Sequence, residues 1–395
     1  MVMRRLLAVS AVFMFLVISC MKVEEIEGPV LSHGTVEEVE IASSDPMIGA
    51  KNAMVYLPPG YDSLDTVTTY PLIFLLHGYG WDYSFFQDLE DIADIADYMI
   101  STGEMRRCIL VMPDGKNSLG GSFYTDSPFG NYDTYITEEV LDFMKENYPV
   151  DTTKIGILGI SMGGYGALKL TVTHPDIFRA GASHSGPIAF PVFLEPDPLT
   201  GINVLGAMLL ENPVYDSAGN VLGYRIPYPP LLDQEHPLTT MMFAMAGAFS
   251  PVVKPREEYD TLNYEFPMAQ LPDGQWLGVI LPIDTTAIPG DTVGLRQDVW
   301  EQWLANDVFT LMGQNYTLLD SLNTALYIDC GDEDELFLQY HAMAVHDLLS
   351  NLGIEHYYEV FGQGPLYPPD RFPARHGTHL YLRLRESLKY ISDHL

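Results

Sequence analysis

Ser161 sits at the centre of Gly159-Ile160-Ser161-Met162-Gly163, and this five-residue pattern is the strongest chemical signal in the chain. The apolar run Ile155–Leu158 leads into it, and Tyr165-Gly166-Ala167-Leu168-Lys169-Leu170 can start a helix directly after. Strand, sharp turn and helix with serine at the apex expose the hydroxyl and aim backbone N–H groups of the helix start at it. Glycine is required at 159 and 163 because a Cβ there would collide with a neighbouring strand or helix. The chemistry such a serine performs is nucleophilic attack on an acyl carbon.

A serine nucleophile needs a base, and the base needs an orienting acid. The order serine, acid, histidine is the one α/β-hydrolases use, and it is met here. Ala325–Gly331 reads as a buried strand ending in a turn, and Asp332, Glu333, Asp334 and Glu335 follow. Near the C-terminus come His376 and His379, ahead of a final helix over residues 380–395. Either histidine fits as the base. Oxyanion stabilisation is expected from the N–H of Met162 and from a loop after an early strand. Tyr70–Leu76 is such a strand, and His77-Gly78-Tyr79-Gly80 follows it, placing Tyr79 or Gly80 as the second donor. His77 precedes Ser161 in the chain and reads as structural.

These residues resemble the esterase D-like branch of the α/β-hydrolases, which includes feruloyl and acetyl-xylan esterases, S-formylglutathione hydrolases, siderophore esterases and mycolyltransferases. The similarity is carried by residues 55–61, 70–80, Met112-Pro113-Asp114-Gly115-Lys116-Asn117, residues 121–127, the Ser161 turn, residues 328–334 and His379. The resemblance implies an acid three residues after Gly331, hence Asp334, with Asp332 second. It implies a histidine about eight residues before a Ser-Leu pair; Ser387-Leu388 selects His379 over His376. The implied triad is Ser161, Asp334 and His379. The implied activity is hydrolysis of a carboxylic ester, favouring an acyl or aryl ester on a carbohydrate, with no cofactor. Two alternatives are an acyltransferase using the same acyl-enzyme and a non-catalytic surface binding protein on a hydrolase fold.

The elements that must position these groups alternate. Val36–Ala42 and Lys51–Leu57 read as a strand hairpin, Phe85–Ser101 as a helix, Cys108–Met112 as a strand, Tyr135–Asn147 and Leu338–Leu352 as helices, and His356–Phe361 as a strand. Such alternation predicts an α/β fold: a mostly parallel sheet with helices on both faces. Residues 45–190 and 315–395 form the expected α/β-hydrolase core. Residues 191–314 depart from the family pattern, are rich in Pro, Met, Leu and Tyr, and are expected to form a large lid or cap insertion near the serine. Met clusters pack well in cores and adapt to apolar ligands.

Arg4 and Arg5 precede an apolar run from Leu6 to Ile18, which ends at Ser19-Cys20. The pattern is that of a secretory signal, too short to span about 30 Å of hydrocarbon at about 1.5 Å per residue. Val17-Ile18-Ser19-Cys20 resembles a bacterial lipobox. Residues 1–19 are therefore expected to be a cleaved signal, Cys20 the lipid attachment site, and residues 20–44 an acidic tether in the cell envelope. The chain holds 53 acidic against 20 basic residues, a net charge of −33. That field disfavours nucleic acid, which needs clustered Lys and Arg, and leaves membrane attachment to lipid. The acids at 332–335 lack EF-hand ligand spacing, and no Cys/His zinc spacing occurs, so no metal is expected. Cys108 and Cys330 lie in apolar runs and read as buried free thiols.

Overall fold

The computed structural model describes residues 33–65, 67–196, 201–284, 294–362 and 374–395. The expected signal segment and Cys20 lie outside the described residues, and among those residues no helix is long and apolar enough to cross a membrane. The described chain divides into two compact units.

The larger unit runs over residues 33–125, Gly130–Ala189 and Val308–Leu395 and is built on an eight-stranded sheet. Its strands are β1 (Thr35–Ala42), β2 (Ala50–Leu57), β3 (Tyr70–Leu76), β4 (Ile109–Pro113), β5 (Val150–Ile160), β6 (Ala180–His184), β7 (Ala325–Gly331) and β8 (Tyr357–Phe361). Their spatial order is β1-β2-β4-β3-β5-β6-β7-β8. The first two strands pair antiparallel, β2 is antiparallel to β4, and every other pairing is parallel. This is the mostly parallel α/β-hydrolase sheet. Every side chain of β3 and β4 is buried, as expected of strands covered on both faces, where apolar residues run on without alternation. Each such Leu, Ile or Val contributes about 1.5–3 kcal/mol of burial. Cys108 and Cys330 are both buried free thiols.

Two helices differ in detail from the sequence reading. Phe85–Ser101 is broken into Phe85–Asp88 and Ile92–Thr102, because Asp91 takes a left-handed backbone with φ 48°, which Asp tolerates better than most residues. The segment Tyr132–Asn147 is helical throughout but contains a π-helical stretch at Tyr135–Val140.

The smaller unit comprises Asp126–Phe129 and Phe190–Asp307. It has its own three-stranded antiparallel sheet, with Trp276–Ile280 between Pro251–Lys254 and Glu265–Gln270. The helix Pro237–Phe249 is buried around nearly its whole circumference, Met242 and Met245 included. Trp303 donates its indole N–H to Ser250 Oγ at 2.8 Å, and Ser250 donates to the Ile280 carbonyl at 2.6 Å. Rings of Phe190, Phe249, Trp300 and Trp303 pack around that contact. The chain returns to the larger unit at Val308, at the start of the helix Val308–Leu322 that precedes β7.

Candidate active site

The turn between β5 and the helix Met162–Thr173 holds Ser161 at φ 56° and ψ −119°. Non-glycine residues rarely adopt this backbone, and it is the conformation expected of a strand–turn–helix elbow. The flanking glycines are sterically enforced. A Cβ on Gly163 would lie 1.8 Å from the Leu76 carbonyl oxygen, and one on Gly159 would lie 2.3 Å from the Gly163 oxygen. The Ser161 N–H donates to the His184 carbonyl at 2.8 Å, tying the elbow to the end of β6. Ser161 itself remains partly exposed.

Met162 is the first residue of the helix, so its N–H has no partner within the helix. The Gly78–Tyr79 peptide is locked from its carbonyl side. The Gly78 oxygen lies 2.8 Å from His77 Nδ1 and accepts the Trp81 N–H at 3.3 Å. His77 Nε2 accepts the Gly115 N–H at 2.8 Å, which leaves the proton on Nδ1 and makes His77 a neutral donor to Gly78. A trans peptide then turns the Tyr79 N–H the opposite way, and among the described residues nothing accepts it. Gly80, expected as an alternative donor, is different: its N–H donates to the Gly120 carbonyl at 3.0 Å. Of the expected oxyanion donors, that commitment leaves Tyr79 and Met162. Gly121 lets both pack closely, since a Cβ there would lie 2.5 Å from Met162 Sδ and 2.7 Å from the Tyr79 ring.

Asp334, in the loop after β7, is buried and accepts three hydrogen bonds. His376 Nδ1 lies 2.8 Å from Oδ2, the Leu336 N–H is 2.9 Å from Oδ1, and the Cys330 thiol is 3.4 Å from Oδ2. Burial alone would raise the carboxyl's pKa; the His376 charge and these donors outweigh it and hold the carboxyl below its ordinary value. Burial opposes the charged form of His376 as well, yet the Asp334 carboxylate, its hydrogen bond and Glu335 raise the imidazole above its ordinary value, with Arg383 opposing them. With Nδ1 engaged by the acid, Nε2 is the nitrogen left for proton transfer.

The expected partner of this acid, His379, is therefore not the residue Asp334 holds. His379 begins the final helix, Leu380–His394, with φ 54°, and its carbonyl accepts the Leu382 and Arg383 N–H groups. Its ring lies beside Tyr381. Burial and Arg383 push its pKa down. The Ser-Leu offset misled because Ser387 serves another contact: its Oγ lies 2.9 Å from His184 Nε2.

The other acids of the 332–335 run are not spare. Asp332 Oδ1 accepts the Ala374 N–H at 3.1 Å, and Glu335 Oε2 accepts the His376 N–H at 3.1 Å. The Glu333 N–H donates to the Ala374 carbonyl at 3.0 Å. Together they clamp the histidine loop to the acid loop. Side chains that bind backbone carry no spacing signature, so sequence alone does not reveal these roles. The site gathers at the carboxyl ends of β5, β7 and β8, where parallel sheets place their chemistry. Among the described residues the one geometric grouping able to hold a cation is His33, Asp94 and Asp97, and Asp97 is already bonded to the Gly34 N–H and the Tyr56 hydroxyl.

Part of the chain is similar to known esterases. Residues 44–212 match the family described as "Putative esterase". An esterase of Mycobacterium tuberculosis is 34% identical over 137 residues, which are 34% of this chain and 28% of that protein. An S-formylglutathione hydrolase of Paracoccus denitrificans is 37% identical over 78 residues, 18% of this chain and 28% of the relative. The chain thus spans under a third of the length of these curated relatives. A solved ferulic acid esterase superposes with a TM-score of 0.55 at 18% identity, covering 92% of this chain and all of the other, which establishes the shared fold.

Proposed function

We propose that this chain, an esterase-family protein across residues 44–212, is a serine esterase with Ser161 as nucleophile, His376 as base and Asp334 as orienting acid. The observation that carries the reading is the 2.8 Å His376–Asp334 hydrogen bond, formed at the same sheet end as the strained Ser161 elbow. The Ser161 hydroxyl attacks the ester carbonyl carbon as His376 Nε2 takes its proton. Negative charge gathers on the carbonyl oxygen, where the Met162 and Tyr79 N–H groups receive it. Collapse breaks the C–O bond, and imidazolium returns its proton to the departing alcohol. Water, activated by the same histidine, then attacks the acyl-enzyme and releases the acid. His376 carries each proton, and no cofactor enters the scheme.

The favoured substrate is an acyl or aryl ester on a carbohydrate. Support comes from the branch the motifs resemble and from the aromatic content of the smaller unit, which leaves the core after β6 and returns before β7. In this reading that unit chooses the acyl group. The protein is exported and lipid-anchored through Cys20 in the cell envelope; the Arg4-Arg5 pair, the short apolar run and the lipobox-like residues 17–20 support this. The test is Ser161→Ala, assayed on para-nitrophenyl esters of rising chain length, a feruloyl ester and acetylated xylan. Turnover should fall about a thousandfold or more, and labelling by a fluorophosphonate should vanish. Near wild-type turnover in the variant would remove Ser161 from the mechanism.

A further inference from the structure

Arg383, on the final helix, is fully buried. Its Nε lies 3.0 Å from Asp329 Oδ1, and Nη2 donates to the same oxygen. Nη2 also reaches Ser185 Oγ at 2.8 Å, and Nη1 donates to the backbone carbonyl of His376 at 2.9 Å. Ser185 Oγ donates to that carbonyl too, at 3.3 Å. The second oxygen of Asp329 is taken by His184 Nδ1 at 2.7 Å and the Tyr327 hydroxyl at 3.0 Å. His184 in turn accepts the Ser161 N–H on its carbonyl, and the Ser185 N–H donates to the Asp329 carbonyl, both at 2.8 Å.

One buried ion pair is thus wired to the nucleophile turn through His184 and to the base loop through Arg383. Ser387, His184 and Asp329 repeat the order of groups in the catalytic set, but all three are buried, so no substrate reaches them. Stability alone does not call for such a pair, because apolar side chains of similar volume serve a core as well or better. The geometry has a different use. The His376 N–H is held by Glu335, and its carbonyl, on the opposite side of the residue, is held by Arg383 and Ser185. With both ends of the residue fixed and its Nδ1 held by Asp334, the imidazole is restrained in position as well as in orientation.

We propose that Arg383, anchored by Asp329, is a positioning residue that holds the His376 backbone carbonyl and so aligns the imidazole with Ser161. This rests on His376 being the base. Arg383 touches neither substrate nor reacting atom; it acts through His376. Misplacing a general base by about 1 Å costs on the order of a hundredfold in rate while substrate binding is spared.

The test uses the full chain and short-chain para-nitrophenyl esters. Arg383→Lys retains the charge beside Asp329 but loses the planar fork that reaches three partners at once. Its kcat should fall about tenfold or more, with KM within about threefold of wild type, in protein whose near-ultraviolet circular dichroism is native. The rate of fluorophosphonate labelling of Ser161 should fall in parallel. A folded Arg383→Lys protein with wild-type kcat and labelling rate overturns the proposal, even if its melting temperature drops. Should that variant not fold, Ser185→Ala decides. It keeps the ion pair and removes one hydroxyl from the same carbonyl, and kcat should fall about threefold; an unchanged kcat overturns the proposal. His376→Ala, run alongside, separates the two levels. If it retains turnover, the assignment of the base has failed; if it is inactive while the Arg383 and Ser185 variants match wild type, only the positioning role has failed.

Discussion

At the scale of residues, the choice between two histidines three positions apart is the sharpest question. His376→Ala should reduce kcat/KM by at least about a thousandfold, whereas His379→Ala should stay within about tenfold; the reverse ranking would restore His379 as base. The pH profile separates them independently. A base works deprotonated, so activity falls as pH drops through its pKa. Asp334 raises His376 against the opposing effect of burial, so the acid limb of kcat/KM should have its midpoint above the ordinary histidine value of about 6.5. Burial and Arg383 lower His379, so a midpoint below about 6.5 would speak for that residue. The motif made Ser161 and its glycines legible because the elbow is local: five consecutive residues contain the whole constraint. The His376–Asp334 pairing was not legible, since it depends on where the chain turns before the last helix.

At the scale of elements, the elbow works because a strand end and a helix start approach to backbone contact. Gly163→Ala tests this directly, since its Cβ would lie 1.8 Å from the Leu76 carbonyl oxygen, and backbone cannot move aside as a flexible side chain can. The variant should lose roughly 2 kcal/mol or more of stability in urea unfolding, along with most of its activity. Unaltered unfolding would mean that β3 and the helix have slack the structure does not show. The strands were readable from their apolar runs, and a final helix was expected over residues 380–395. The break at Asp91 and the π-helical stretch at Tyr135–Val140 were not, because propensity does not register a single left-handed residue or one extra residue per turn.

At the scale of the whole molecule, the smaller unit and the N-terminus carry the remaining expectations. Replacing residues 190–307 with a short Gly-Ser linker should leave Ser161 reactive toward acetyl esters and abolish discrimination along a chain-length series; selectivity that survives the replacement would make the unit peripheral. Cys20→Ala should leave the protein extractable from membranes without detergent and free of incorporated labelled fatty acid. Retention of the label would place lipid elsewhere on the chain.

The sequence by itself pointed to Ser161 as the proposed nucleophile and determined the class of sheet. Each of these is written in contiguous residues whose period, glycines or apolar content obey local sterics and burial. Only the tertiary structure decided which histidine meets Asp334, that Gly80 is spent on Gly120, that Asp332 and Glu335 hold backbone, and that Arg383 joins the base loop to a buried carboxylate. All of these are contacts between segments far apart in the chain. Their partners are chosen by the distances and directions that packing imposes, and spacing along the sequence holds no record of them.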